Sequence, residues 1–313
     1  MSLASLNKPF LVAGLGIGLH IAFPYIEALK LPYSTLRFVN LITYGLNTIS
    51  TSIPGRIDGQ AARDLSSASK DGSGMKELSP QTGKSLVAPS GWAFIIWAPI
   101  FLGELVVVTS QFLVDESSSL ADTIRMASIP FSMAQLFQCL WCASFRPKYE
   151  GQLMFISTGM LSSIAYSLSK AHSAYVSSSY NSLEYIIHFL PMTLHFGWTT
   201  AASLVNLNGA VASLGDMVAT PKVMAGLGHA SALVGTVLGV YITASRKSPV
   251  YGGVIAWALL ALSDSMRKRI KLNEKKKDDS VPGLFGAIPQ EKICLAGALV
   301  CATSSVFVAF NSK

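Results

Sequence analysis

Aromatic, histidine, amide and carboxylate side chains recur inside the apolar segments of this sequence, although a plain membrane helix needs only aliphatic bulk. The richest stretch, residues 89–104, reads PSGWAFIIWAPIFLGE and contains Trp92, Phe94, Trp97 and Glu104. Aromatic faces bind flat apolar molecules through stacking and burial of area, and a few polar groups then fix the orientation of the bound molecule. These residue types therefore indicate a binding site for a lipophilic ligand.

The aromatic residues of this stretch follow a turn signal at Pro89, and they predict an aromatic wall at one end of a membrane-spanning helix. At about 100° per residue, Trp92 and Ile96 fall on one face of that helix, whereas Trp97 falls on another. The plain alternative is that Trp92 and Trp97 belong to an interfacial belt that no ligand touches.

Glu104 lies seven residues after Trp97, on the same helical face and near the predicted middle of the bilayer. A charged side chain at that depth costs on the order of a few kcal/mol unless it is paired, protonated or hydrated. Two interpretations follow: Glu104 is neutral and hydrogen-bonded to a neighbouring helix, or it takes part in ligand binding.

Two further apolar segments carry comparable side chains. Gln138 and Trp141 lie three residues apart and therefore share a helical face. In a later segment, Glu184, His188 and His195 follow one another at intervals of four and seven residues, which predicts a single stripe that also includes Trp198. These polar groups are candidates for orienting a ligand held by the aromatic faces.

A buried histidine in a membrane helix is a candidate site residue by default, and two functional roles are open for His195. It has the chemistry of an axial ligand for a metalloporphyrin, and it is also a hydrogen-bond partner of suitable chemistry for Glu104. The plain alternative is that His188 and His195 only form hydrogen bonds between helices.

The elements that must position these side chains are membrane helices. Half of the residues are hydrophobic, only 13% are charged, and the mean hydropathy is +0.45, which is too apolar for a soluble domain of 313 residues. In lipid, backbone groups must be paired within the segment, so the apolar runs are predicted to be helices. We expect an all-α polytopic bundle with about seven or eight spans, including runs near 91–114, 124–145, 152–169, 183–205, 223–243, 250–265 and 292–310.

The chain divides into three predicted regions. Residues 1–50 hold two hydrophobic segments, of which Phe10–Leu29 is either a span or a signal-anchor. Residues 51–88 form a polar loop rich in Ser, Gly, Asp, Arg and Lys, and residues 89–313 form the main bundle. The alternative for the weaker second segment, near residues 33–49, is a helix lying on the membrane surface.

The formal net charge of +7 does not indicate nucleic-acid binding, because the basic residues fall in loops between apolar runs. Most of them share one predicted side of the membrane, which the positive-inside rule assigns to the cytoplasm, the matrix or the stroma. The cluster at 267–277 also has the composition that binds anionic head groups. The organelle stays open between mitochondrial, plastid and endomembrane placements.

The sequence carries no signature of an enzyme or of a metal site, so neither is expected. Cys139 and Cys142 form a single C-x-x-C motif without a second pair or a flanking histidine. They are interpreted, with Cys294 and Cys301, as small residues of apolar segments rather than as a disulfide framework.

Four motifs occur in order along the chain: PSGWAFIIW at 89–97, QCLW at 138–141, PMTLHFGWT at 191–199 followed by Asn206, and YGGVIAWAL at 251–259. Together they resemble the motifs of the TspO/translocator protein family, in its larger branch of tryptophan-rich sensory proteins. In order and spacing the resemblance covers roughly residues 35 to 310. Gln138 departs from it, because the family usually has asparagine there, and so does the single Pro89 in place of a proline pair.

The resemblance implies a TspO-like core of five helices, accompanied here by additional helices, around a pocket for porphyrins, sterols and similar flat lipophilic molecules. The Gln138 departure leaves the ligand unidentified, with porphyrin or haem among the candidates. The resemblance and the small-residue helix faces also allow a homodimer. The residues expected to bind the ligand, from the motifs and from the bottom-up reasoning together, are Trp92, Phe94, Trp97, Glu104, Gln138, Trp141, His195 and Trp198.

The expected function is therefore to bind a flat lipophilic molecule, such as a tetrapyrrole, a sterol or an isoprenoid-type lipid, for sensing, buffering or transfer. Two alternatives remain: a solute carrier, or a structural or assembly subunit of a membrane complex. The expected surroundings are the lipid bilayer, because the chain is predicted to be an integral multi-pass membrane protein.

Overall fold

The computed structural model describes residues 7–52, 84–178, 180–276 and 285–311. Within these ranges the regular structure is helical and contains no strand, with nine principal helices. They are α1 (Pro9–Ala28), α2 (Tyr33–Ser52), α3 (Gly91–Ser110), α4 (Ser119–Ser144), α5 (Met154–Val176), α6 (Leu190–Ala212), α7 (Pro221–Ser245), α8 (Pro249–Lys276) and α9 (Ala287–Asn311).

Five of the described helices, namely α1, α3, α7, α8 and α9, are long and apolar enough to cross a membrane. The sequence indicated seven or eight spans. Helices α2, α4, α5 and α6 are more polar, because hydroxyl and amide side chains such as Asn40, Ser132 and Ser167 line their buried faces. The prediction of an all-α polytopic membrane protein is confirmed.

Two compact units make up the chain. The first consists of Met1–Pro80 and Ile100–Met192, and the second of Gln81–Pro99 and Thr193–Lys313. The division falls inside α3 and inside α6. The first unit therefore contains α1, α2, α4 and α5, while the second contains α7, α8 and α9.

In the first unit, α1 packs against α4 and α5. Gly16 permits this approach, because a Cβ atom at that position would stand 2.1 Å from Cε of Met160. His20 and Ser163 are hydrogen-bonded at 2.9 Å, and Lys170 forms an ion pair with Glu27 at 2.5 Å. Helix α1, predicted as either a span or a signal-anchor, is thus an integral packing element of this unit.

In the second unit, α7, α8 and α9 pack closely through small residues. A Cβ atom at Gly252 of α8 would stand 2.4 Å from the hydroxyl oxygens of both Ser305 and Thr243. A Cβ atom at Gly297 of α9 would stand 2.2 Å from the hydroxyl oxygen of Thr236 in α7. Small residues at such positions let helix backbones approach and gain van der Waals contact, which is the main source of helix association in lipid.

We name the segment Lys84–Ile96 the strap. It includes the first six residues of α3, Gly91–Ile96, and runs along these helices. Leu86 and Val87 are fully buried, and Leu86 packs with Met266 and Ala287. These two residues lie near the end of the predicted polar loop 51–88, and their burial was not foreseen because two adjacent apolar side chains produce no periodic signal. Residues 53–83 of that predicted loop lie outside the described residues.

Candidate functional site

The stretch that carries the first aromatic motif begins with a 3₁₀ helix, Gly91–Ile96, and becomes α-helical at Trp97. A 3₁₀ helix has three residues per turn, so the spacing of 100° per residue does not apply to it. The prediction that Trp92 shares a face with Ile96 is wrong for this reason. Trp92 instead meets Trp257 of α8, with ring centroids 4.6 Å apart and an interplanar angle of 89°.

Four of the expected site residues do come together in the second unit, and we name them the aromatic cluster: Phe94, Trp97, His195 and Trp198. The Trp198 ring lies 5.6 Å from Phe94 and 6.3 Å from Trp97, at angles of 84° and 86°. The His195 ring lies 5.7 Å from Trp97 at 72°. Edge-to-face pairs of this kind contribute about 0.5–1.5 kcal/mol each beyond area burial.

The interior of the cluster is filled by its own rings, because these centroid distances are contact distances for aromatic pairs. Trp198 is 3% exposed, and His195 is fully buried. The indole N–H of Trp198 has no hydrogen-bond acceptor among the described residues. The aromatic cluster is therefore closely packed, and one of its indole N–H groups has no acceptor among the described residues. Space that could hold a small molecule lies beside the cluster and not within it.

That space is a groove of about 670 Å³, which lies within the range of roughly 300–1,000 Å³ typical of small-molecule sites. It is open along one side, and its lining is almost wholly apolar. The walls come from residues 95–99 of α3, from the second turn of α6 and from α8. The lining residues are Ile95, Ile96, Ala98, Pro99, Leu194, Val250, Gly253, Val254 and Trp257.

Two residues of α8 shape the groove. The indole N–H of Trp257 donates to the backbone oxygen of Ala93 at 3.1 Å, which fixes the ring against the strap. Apart from its chain neighbours and the nearby backbone of its own helix, no heavy atom of the described residues lies within 4 Å of the position that a Cβ would take at Gly253, so this glycine faces open space. Both residues belong to the motif at 251–259, but neither was among the residues expected to bind the ligand.

The close approach of α6 to α8 explains why Leu194 reaches the groove. A Cβ atom at Gly197 would stand 2.9 Å from Cβ and Cγ1 of Val254, so only glycine fits between the helices there. The glycine of the motif at 191–199 therefore has a packing role, and its neighbours His195 and Trp198 are held at fixed positions beside the groove.

Glu104 belongs to the first unit, where it is fully buried. The Nε2 of Gln135 donates to its Oε2 at 3.1 Å, and Asn47 donates in turn to Oε1 of Gln135 at 2.5 Å. A second group of bonds joins Asn40 to Gln111 at 3.0 Å and to Ser128 at 2.9 Å. The hydrogen bond to a neighbouring helix, one of the two interpretations of Glu104, is thus present.

Gln138 and Trp141 also belong to the first unit. Gln138 is fully buried, and neither its Oε1 nor its Nε2 has a partner among the described residues. The same is true of the indole N–H of Trp141, whose ring stacks on Phe145 at 5.3 Å and 25°. A buried polar group left unpaired costs about 1–3 kcal/mol, so these atoms are suited to bind a ligand or a water molecule.

The predicted stripe of Glu184, His188 and His195 does not form. Residues Tyr185–Phe189 are a π-helical turn, which breaks the spacing of 100° per residue on which that stripe depends. Glu184 is used at the start of its own helix, where its Oε2 accepts from the backbone N–H of Asn181 at 2.8 Å. This capping box accounts for its carboxylate without any ligand.

Among the described residues, no group of three or more His, Cys, Asp or Glu side chains is arranged to hold a metal ion. All four cysteines are free, and Cys142, Cys294 and Cys301 are buried. The site chemistry therefore consists of aromatic rings, an apolar groove and a few spare hydrogen-bonding groups.

Comparison with known proteins identifies the family. The searches of the curated proteins and of the solved structures found no match. The family model described as TSPO-like protein matches residues 65–270, which is more than half of the chain and includes all four motifs quoted above. The resemblance is thereby confirmed over that range, and α1, α2 and α9 lie outside it. This chain is thus an integral multi-pass membrane protein that belongs to the TSPO-like protein family.

Proposed function

We propose that this protein is a binding protein, not an enzyme, and that it binds a flat lipophilic small molecule for sensing, buffering or transfer. The observation that carries the proposal is the apolar groove of about 670 Å³ beside the aromatic cluster, within the second unit. The candidate ligands are a sterol, an isoprenoid-type lipid and a tetrapyrrole.

The chemistry of the lining supports a lipophilic ligand. Among the described residues that line the groove, none has an ionisable side chain, and the only side chain with a hydrogen-bonding group, Trp257, already donates to Ala93. A polar group of the ligand would lose its hydration there without gaining a partner, whereas apolar area is stabilised by burial. Sterol rings and isoprenoid chains therefore fit this surface better than the polar edge of a tetrapyrrole does.

The aromatic cluster supports the proposal indirectly, through the position of the groove wall. Phe94 and Trp97 alternate with Ile95, Ile96 and Ala98 along the same few residues. Because the two rings pack against Trp198, the aliphatic side chains between them are held toward the groove. We therefore expect a smaller ring at position 97 to loosen the wall and to weaken ligand binding.

His195 is a candidate axial ligand for haem iron, but the structure buries its ring. Its imidazole is fully buried and lies against the Trp97 ring. Coordination of haem iron would require the aromatic cluster to open, so the binding of an apolar ligand in the groove does not depend on His195.

The proposal is tested by titrating the detergent-purified protein with protoporphyrin, haem and a fluorescent sterol while following tryptophan quenching and the Soret band. We expect saturable quenching in the parent and an affinity about five-fold lower, equivalent to about 1 kcal/mol, in Trp97→Phe. The matched control is Phe112→Leu, because Phe112 forms a similar edge-to-face pair with Phe38 in the first unit.

Each outcome of these titrations tests one part of the proposal. A Soret shift that is present in the parent and lost in His195→Ala makes that residue an axial ligand. Absence of saturable binding for all three ligands contradicts the proposed function. Equal losses in Trp97→Phe and in the Phe112→Leu control contradict the role given to the aromatic cluster.

A further inference from the structure

One face of α8 changes character along its length. Residues three or four apart on an α-helix share a face, and a single stripe of α8 begins with groove residues and ends with charged ones. The groove occupies the first part of this stripe and reaches Trp257, and an exposed lysine lies at the far end. In order, the stripe consists of Val250, Val254, Trp257, Ala261, Asp264 and Lys268.

The strap crosses this stripe directly beyond the groove. The backbone oxygen of Ala93 in the strap accepts a hydrogen bond from the indole N–H of Trp257 at 3.1 Å. The backbone N–H of Ser90 donates to the backbone oxygen of Ala261 at 3.0 Å. The indole N–H of Trp92 then donates to Oδ2 of Asp264 at 2.9 Å. Three contacts on successive turns of α8 therefore hold the strap against this helix, beyond the end of the groove that Trp257 marks.

Asp264 is the charged member of these contacts. Its Oδ2 also accepts from Nζ of Lys268 at 2.6 Å, and the same Nζ lies 3.5 Å from Oγ of Ser90. Hydrogen bonds to a carboxylate are roughly twice as strong as those between neutral groups. Asp264 thus joins the strap to α8 through Trp92, and Lys268 holds the carboxylate in place.

We propose that Asp264 and Trp92 form a latch that closes one end of the groove and thereby limits the length of hydrocarbon chain that it accepts. This inference rests on the proposed function. The α8 lining from Val250 to Trp257 spans about 10 Å at 1.5 Å per residue. The same stripe continues for about 16 Å from Trp257 to Lys268, and the strap covers its first part. Asp264 is therefore a positioning residue that acts on the ligand through the strap.

The test measures chain-length selectivity. Straight-chain alcohols from octanol to octadecanol compete with parinaric acid, a fluorescent fatty acid, for the purified protein. In the parent, affinity rises with each methylene that is buried and levels off once the chain fills the closed groove. In Asp264→Ala, the affinity continues to rise over several further carbons, because the end of the groove is open.

Two variants control for general loosening. Asp264→Asn keeps an acceptor for the Trp92 indole, so it retains the length limit of the parent. Glu291→Ala removes the ion pair of α9 with Arg267 of α8, at 2.8 Å, without touching the strap, and it too keeps that limit. The inference is overturned if Asp264→Ala levels off at the same chain length as the parent, or if Glu291→Ala shifts the limit equally.

A ligand-free measurement separates this inference from the proposed function. Hydrogen exchange of the backbone amides in residues 90–93 should become faster in Asp264→Ala and stay unchanged in Glu291→Ala. An unchanged exchange rate in Asp264→Ala contradicts the latch, whatever the ligand results are. If the parent binds neither the alcohols nor parinaric acid, the length limit is overturned, whereas the proposed function is judged by the titrations with sterol, haem and protoporphyrin and the latch by the exchange result.

Discussion

The indole N–H groups divide four of the five tryptophans into two kinds. Those of Trp92 and Trp257 donate to Asp264 and to the Ala93 carbonyl, and they hold the strap on α8. Those of Trp141 and Trp198 have no acceptor among the described residues. Tryptophans of the first kind fix the shape of the groove, and those of the second kind retain a donor for a ligand.

The buried carboxyl group of Glu104 accepts a hydrogen bond from the side-chain amide of Gln135, and we expect this bond to stabilise the fold. We predict that Glu104→Leu is destabilising by about 1–3 kcal/mol, because the Gln135 amide loses its acceptor in a buried position. Glu104→Gln retains an acceptor oxygen and should be nearly neutral. Thermal unfolding of the two purified variants measures the difference, and equal melting temperatures would show that the Gln135 bond contributes nothing to stability.

The sequence predicted some of the side chains in and beside the aromatic cluster, but it did not predict those that shape the groove. The grouping of Trp97, His195 and Trp198 follows from residue type and motif, and the structure brings the three together. Asp264 and Gly253 were missed, because a carboxylate near a basic cluster and one glycine among 25 carry no signal of their own. Their roles depend on contacts with the strap and on the open space of the groove.

At the scale of elements, hydrophobic runs located every principal helix, while the ends and local geometry escaped prediction. Helix α8 continues to Lys276, beyond the predicted end of its apolar run at residue 265, because basic residues also favour helix once the chain has left the apolar region. The 3₁₀ helix Gly91–Ile96 and the π turn Tyr185–Phe189 have no periodic signature. Both errors in the predicted faces arise from these two segments.

Adjacent glycines of α8 give a prediction at this scale. Gly252→Ala should destabilise the protein by about 1–3 kcal/mol, because the added methyl overpacks the contact with α7 and α9. Gly253→Ala meets no neighbour and should be neutral or stabilising by up to about 1 kcal/mol, since alanine favours helix. Thermal unfolding of the pair decides the matter, and a greater loss in Gly253→Ala than in Gly252→Ala would contradict the packing described for the second unit.

At the scale of the whole molecule, the chain is a TSPO-like membrane protein with candidate binding features in each of its two units. The second unit holds the aromatic cluster, the groove and the strap. The first holds the buried Glu104 and Gln138, whose amide group has no partner among the described residues. The alternatives of a solute carrier or an assembly subunit, the homodimer and the side of the membrane that carries the basic loops all stay predictions. Composition identified the membrane class and four motifs identified the family, whereas the groove became visible only from the packing of α6, α8 and the strap.

The most direct test of ligand binding in the groove is to fill it without removing any contact. Gly253→Leu places a side chain into the open space, and Gly226→Leu does the same at another helical glycine with no neighbour within 4 Å, in α7 and away from the groove lining. Affinities for the fluorescent sterol and for parinaric acid are measured in both variants, together with their melting temperatures. We predict that Gly253→Leu lowers affinity at least about ten-fold, equivalent to about 1.4 kcal/mol, while Gly226→Leu binds like the parent. Parent-like binding by a folded Gly253→Leu protein would contradict the assignment of the groove as the ligand site.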